Sequence, residues 1–284
     1  MLTKDKLVQI PASEWHELRD LFVVEWPSHE IAYYTIQNYI DWFAIDPEIK
    51  NLQILSLNGD WRDNGTYLIV DRYQMFVYTL EANNDSLKRA LFLIDWDYSY
   101  KMCSIRQCHR PALEEVFRAL QIELAWQRVS KVYRLAGEEA AKFEFAIPQG
   151  MYMDRMKVEH APMANELWSH RCQGSEFYMK RIAAWNPSVG LFDENGEPVA
   201  WCFVWPTGAI GPLEVTKKHH RKGYGTIIAK AIAQELAKIG RNCYATILSS
   251  NMASQTMFDK IGFHEVDEVY FTRNRARKLV EWDC

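Results

Sequence analysis

The sequence predicts an α/β (α+β) fold built from two successive halves, and three observations carry that expectation. Apolar residues at helical spacing alternate along the chain with short strand-like apolar runs. Asn-Gly pairs at 58–59, 64–65 and 195–196 punctuate those runs as tight turns. The segment LVQIPASEWHELRDL, from Leu7, and the segment MKVEHAPMANELW, from Met156, share a strand, a small-residue turn and a helix of similar pattern. An internal repeat and two independent domains that open alike both account for this likeness. Gly137 to Gly150, which contains Pro148, is the natural boundary, giving domains 1–145 and 146–284.

Taken in order, Leu7–Ile10 reads as a strand, and Pro11-Ala12-Ser13 leads into a helix over 14–25, with Trp15, Leu18, Leu21 and Phe22 on one face. A helix from Glu30 to Ala44 stops before Asp46-Pro47. Strands follow at 52–57, 66–70 and 75–80, then helices at 86–95 and from Pro111 to about Ala136. In the second half, 152–158 reads as a strand, and 163–170 and 176–184 as helices, the latter stopped by Asn186-Pro187. Strands at 189–192 and 199–205 form a hairpin across Asn195-Gly196, and 209–215 is a further strand. An amphipathic helix begins at Gly223-Tyr224-Gly225, its core face made by Ile227, Ile228, Ala231, Ile232, Leu236 and Ile239. Strand 243–249 follows it.

Composition narrows the function classes. The 284 residues are 48% hydrophobic and 25% charged, which excludes a disordered, collagen-like or disulfide-knot chain. The formal charge of −4 gives no support to a nucleic-acid binder. The halves differ: residues 1–150 hold 16 basic and 22 acidic residues, and residues 151–284 hold 17 and 15. The mild positive balance of the second half suits an anionic ligand. The six cysteines, at 103, 108, 172, 202, 243 and 284, show no C-x-x-C pair and read as reduced buried thiols. No metal is expected. The acids Asp5, Glu14, Glu17 and Asp20 do not fit a presequence, and no run approaches a membrane span, so a cytoplasmic protein without membrane partners is expected.

The segment GPLEVTKKHHRKGYGTIIAKAIAQELAKIG, Gly211 to Gly240, carries the chemistry. A strand ends at Val215, and a basic loop with Lys217, Lys218, His219, His220, Arg221 and Lys222 leads to two glycines and a helix. The first N–H groups of a helix lack intrahelical partners, and its dipole places about half a positive charge there. Glycines let a diphosphate approach that backbone. It is neither a P-loop nor a Rossmann turn, since no Lys-Ser or Lys-Thr follows and the G-x-G-x-x-G order is missing.

Val215, His220, Gly223 and Gly225 resemble the acyl-CoA signature of the GNAT acyltransferase superfamily, with His220 in place of the usual Arg or Gln. SNMASQTMFDKIGF resembles its second signature, with Asn251, Ser254, Gly262 and Phe263 in place and Phe258 where a tyrosine is usual. His160-Ala161, Trp168, Pro187-Ser188, the run Gly196 to Trp201, and Thr207-Gly208 resemble the glycine N-acyltransferase family. The resemblance implies a GNAT-type mixed, mostly antiparallel central sheet flanked by helices, preceded by a degenerate GNAT-like N-terminal half. It implies acyl-CoA or acetyl-CoA as co-substrate and an amine such as glycine as acceptor, joined by direct attack. It leaves a mitochondrial location open. It also implies a co-substrate site made by Leu213, Glu214, Val215, His220, Arg221, Lys222, Gly223, Tyr224, Gly225, Thr226, Asn251, Ser254 and Phe258.

The family's expected glutamate base falls at Ala209, so no catalytic residue is assigned. Strand alternation sets 209, 211, 213 and 215 on one face and Glu214 on the other, which argues against Glu214 as its substitute. A CoA-binding or interaction module that has lost catalysis is the competing reading, and a nucleic-acid-linked enzyme using the Lys217–Lys222 patch is a third.

Overall fold

The computed structural model describes residues 4–278, which divide into two compact units. The first comprises the chain up to Ser130 and again from Asp267, and the second is Lys131–Val266. The changeovers fall inside two strands, whereas the sequence reading set its boundary at 145/146.

In the first unit the chain forms β1 (Leu7–Gln9), α1 (Trp15–Asp20), α2 (Glu30–Ile45), β2 (Leu52–Leu57), the short α3 (Trp61–Asn64), β3 (Tyr67–Asp71) and β4 (Gln74–Tyr78). Then come α4 (Asp85–Leu91), β5 (Lys101–Arg106), α5 (Arg110–Ala119) and β6 (Leu124–Leu135), which runs on into the second unit. Every residue of β3 and β4 is buried, so these strands read as continuous apolar runs. Strands β1 to β5 lie side by side in order, antiparallel except for β4 and β5. Leu68, Met75, Leu87, Met102 and Val116 share one core cluster.

The helix expected from Pro111 to Ala136 is corrected. It ends at Ala119, Gln121 takes φ 52°, and 124–135 is strand. Burial there alternates, with Leu124, Trp126 and Arg128 half-buried and Ala125 and Gln127 exposed, the period-two signature of a strand. The helix expected over 14–25 is shorter, because Leu21–Val23 tightens to a 3-10 turn. Strand β5 was not anticipated.

The second unit holds α6 (Gly137–Ala140), β7 (Met151–Asp154), α7 (Ala161–Leu167), α8 (Ser175–Trp185), β8 (Ser188–Asp193), β9 (Pro198–Val204) and β10 (Ala209–Val215). It continues with α9 (Tyr224–Lys238), β11 (Cys243–Leu248), α10 (Met252–Lys260) and the start of β12 (His264–Asn274), an unanticipated strand whose later residues pair with β5. The sheet order is β11-β10-β9-β8-β7, antiparallel except for β10 and β11. Ile228, Ile232 and Leu236 of α9 bury their side chains in a cluster with Ala200, Cys202, Val204, Ile210 and Ala245. Each such side chain contributes about 1.5–3 kcal/mol on burial. The mixed, mostly antiparallel α/β fold is as the sequence led one to expect. Five cysteines are free thiols, and Cys284 lies outside the described residues.

Candidate functional site

The second unit's site begins with a break in strand register. Ile210 pairs with Val204, but the next pairs are Leu213 with Cys202, Glu214 with Trp201 and Val215 with Ala200. Three steps along β10 match two along β9, so one extra residue is inserted at Gly211-Pro212. Gly211 has φ 148°, and a Cβ there would stand 2.9 Å from the Trp205 indole nitrogen, so only glycine fits.

The bulge resets which way side chains point. Ile210, Leu213 and Val215 all pack in the α9 cluster with Ala200, Cys202 and Val204. Ala209 before the bulge and Glu214 after it therefore share the opposite face with Trp201. Simple alternation had put positions 209 and 214 on opposite faces, and the structure corrects it.

The second feature is a parting of strands. Among the described residues, β10 meets β11 only through Ala209 opposite Tyr244 and Ile210 opposite Ala245. The Thr216 N–H bonds Val199 on the β9 side, so by alternation the backbone groups of Leu213 and Val215 face the side β11 has left. There the His220 Nε2–H donates to the Val215 carbonyl at 2.9 Å. An extended amide-bearing ligand can pair with the remaining groups as a strand would.

Beyond Val215 the chain makes a 3-10 turn at Lys217–His219, in which the Thr216 hydroxyl lies 2.8 Å from His219 Nδ1. Burial and the nearby Lys222 and Lys218 lower the His219 pKa. Arg221 takes φ 63° and Gly223 φ 81° before α9 starts at Tyr224. The Thr226 and Ile227 N–H groups already bond the Gly223 carbonyl. Among the described residues, the N–H groups of 221–225 have no backbone or side-chain acceptor, so the open set is 221–225 and excludes Thr226. With the Lys217, Lys218, Arg221 and Lys222 side chains the turn has the charge and open N–H groups that can receive an anion.

The two glycines act differently. Gly223 is required for its left-handed φ, while a Cβ there would meet open space. A Cβ on Gly225 would come to 3.4 Å from Met257 Sδ, 3.6 Å from Leu213 Cδ2 and 3.7 Å from Val215 Cγ2. Gly225 therefore lets α9 pack against β10 and α10, bringing the strand end, the turn and the second signature together.

Asn251 caps α10 by accepting the Ser254 N–H at 3.1 Å, as its place after strand β11 suggests. Phe258 is 4% exposed and its ring stands edge-on to Phe263 at 4.9 Å, so it is a core residue that presents no group to a ligand. Its membership in the sequence-based site rested on the tyrosine the signature usually has there. Glu214 is half-buried, and burial raises its carboxyl pKa, with His220 opposing. Buried Cys202 and Cys243 have thiol pKa values pushed up, which makes them core thiols and poor nucleophiles. Among the described residues no group of three or more His, Cys, Asp or Glu could hold a metal, and no helix is long and apolar enough to cross a membrane.

The parallel strands of the first unit also part after two pairs, and polar side chains bond one another nearby. Parallel pairing of β4 and β5 covers Gln74 with Lys101 and Met75 with Met102. Past it, the Tyr78 hydroxyl accepts from Arg106 and lies 2.8 Å from His29 Nδ1, while Arg106 also binds Asp267 at 2.6 Å. Asn84 accepts from His109 Nδ1 at 2.6 Å and donates to the Cys108 carbonyl at 2.9 Å.

The chain is similar to several known proteins. Residues 188–272 match the family described as FR47-like protein. Human glycine N-acyltransferase is 29% identical over 114 residues, covering 39% of this chain and 38% of the relative. The Pongo abelii glycine N-acyltransferase is 24% identical over 185 residues, covering 58% and 61%. The matches thus span between about a third and two thirds of those relatives' lengths. A Drosophila protein of known crystal structure superposes with TM-score 0.87 at 21% identity, over 97% of this chain and all of that one. A tandem GNAT protein from the clavulanic acid biosynthesis pathway gives TM-score 0.58 at 15% identity, over 95% and 98%. The chain has the mixed α/β fold of GNAT proteins, and its residues 188–272 are similar to the FR47-like family. Its curated relatives are N-acyltransferases acting on glycine by name.

Proposed function

We propose that the protein is an acyl-CoA-dependent N-acyltransferase that passes an acyl group to an amine such as glycine or another amino acid. The observation that carries this reading is the strand gap beside Leu213 and Val215 leading to the open N–H groups of 221–225. A pantetheine amide chain pairs with the strand as a missing neighbour would, and the diphosphate lies on the turn. The thioester carbonyl then sits near the bulge, polarised by backbone donors, and the amine attacks it directly.

The first unit is proposed as a degenerate GNAT-like domain that shapes or supports the enzyme and binds no CoA. Polar side chains bond one another near its strand gap, and Glu81-Ala82-Asn83-Asn84-Asp85, which stands where the basic turn would be, repels a diphosphate. Ala209 and Phe258 favour a second reading, a CoA-binding module without turnover. The deciding experiment is a screen of acetyl-, octanoyl- and benzoyl-CoA against glycine, other amino acids and peptides, followed by CoA thiol release. Acyl-CoA binding without release from any pair would favour the module.

A further inference from the structure

Resting on the N-acyltransferase reading, we propose that Glu214 is the general base for the acceptor amine, acting from beyond the bulge in place of the side chain that Ala209 lacks. The first support is geometric. The inserted residue at Gly211-Pro212 turns Glu214 onto the face of Ala209, the position to which the resemblance assigns the base. Its neighbours Leu213 and Val215 turn their backbone toward the strand gap proposed for the pantetheine, so its side chain stands beside the thioester and away from the α9 core.

The second support is an absence of structural employment. Among the described residues the Glu214 carboxylate has no hydrogen bond or ion pair, although it is half-buried. Directly across the strand pair, the Trp201 indole N–H is fully buried and has no acceptor. Residues paired this way hold their Cβ atoms about 5 Å apart. A half-buried carboxylate with no protein partner and an unmet buried donor thus stand together on the face of Ala209. A primary amine with an oxygen close by, as in an α-amino acid or a peptide N-terminus, offers the complement to both.

In the step, the Glu214 carboxylate takes one proton from the ammonium form of the acceptor. The freed nitrogen lone pair forms the C–N bond, and the C–S bond breaks with its electron pair leaving on sulfur. Of the two protons lost by the ammonium, one goes to the CoA thiolate and one to water, and Glu214 returns to its carboxylate. Two titratable groups act near it. His220, from the turn, favours the ionised carboxylate, and the Cys202 thiol, on β9, feels its charge.

The test compares wild type, Glu214→Gln and Glu214→Asp, using the acyl-CoA and amine pair with the highest thiol release in the screen above, and hydroxylamine as a weakly basic second acceptor. Circular dichroism and a urea unfolding curve matching wild type should show that Glu214→Gln is folded. Its kcat/KM for the amino acid should fall about 10²-fold or more. The fall should be much smaller for hydroxylamine, which needs less deprotonation, and Glu214→Asp should recover part of the rate. The acid limb of the wild-type pH profile should move up to the pKa of the acceptor amine in Glu214→Gln. Turnover within twofold of wild type, or an unchanged acid limb, overturns the assignment while leaving the N-acyltransferase reading intact. If wild type binds acyl-CoA but releases no thiol with any amine, that reading fails and this one with it. An equal loss with both acceptors marks a structural role and also overturns the proposal.

Discussion

Acidification from pH 7 to pH 5 is expected to remove about 2 kcal/mol of stability through one side chain of the first unit, His109. It is 4% exposed, its Nδ1–H donates to Asn84, and its Nε2 has no partner among the described residues. Burial, then the nearby Arg106 guanidinium and His29, lower its pKa to about 3. An unfolded histidine titrates at about 6.5. Below that pH the unfolded chain holds a proton that the folded one refuses, so stability rises with pH between about 3 and 6.5 and is lost as pH falls. Going from pH 7 to pH 5, the unfolded state gains about 1.4 pH units of proton binding, at about 1.36 kcal/mol each. His29 is lowered too, by burial and Arg106, and adds loss of the same sign, so a variant must isolate His109. His109→Leu leaves the Asn84 carbonyl without its donor and should cost about 1–3 kcal/mol at pH 7. Urea unfolding of both proteins should show that gap narrowing by about 2 kcal/mol at pH 5. In NMR, the His109 ring should not titrate between pH 8 and 4. A gap that stays constant, or a His109 midpoint above pH 5, refutes the reasoning.

Three further outcomes are expected. Gly225→Val should weaken CoA binding in calorimetry, because its γ-carbons must enter space where a bare Cβ already stands 3.4 Å from Met257 and 3.6 Å from Leu213; unchanged affinity would remove the turn from the site. Titration with CoA should give one site per chain, and a stoichiometry of two would show that the first unit binds CoA as well. Ala209→Glu places a carboxylate on the face of Glu214 at a position only 1% exposed. It should raise glycine turnover most clearly below pH 8 in the Glu214→Gln background, and no recovery there would show that position 209 cannot serve the amine.

The sequence by itself determined what depends on neighbours along the chain. The basic turn, Gly223 with its left-handed backbone, the amphipathic face of α9 and the Asn251 cap are local features, and each lies where its residue pattern sets it. Strands bounded by Asn-Gly pairs were legible for the same reason. Strand 124–135 was harder to see, because its alternation follows a true helix with only a short turn between, and apolar spacing over so few residues suits both. What only the tertiary structure decided is register and burial. No local signal says that β10 gains a residue against β9, yet the extra residue at Gly211-Pro212, beside Trp205, moves Glu214 to the face of Ala209. Phe258 was placed by a motif, but packing against Phe263 in the core decided what it touches. The neutral state of His109 depends on its burial and on Asn84 and His29, which distant parts of the chain bring to it, together with Arg106 three residues away. Alternation holds only while a strand keeps its pairing, and a pKa depends on whatever the fold packs around the group. Both are set by residues far apart in sequence, which is why the chemistry of this site had to wait for the fold.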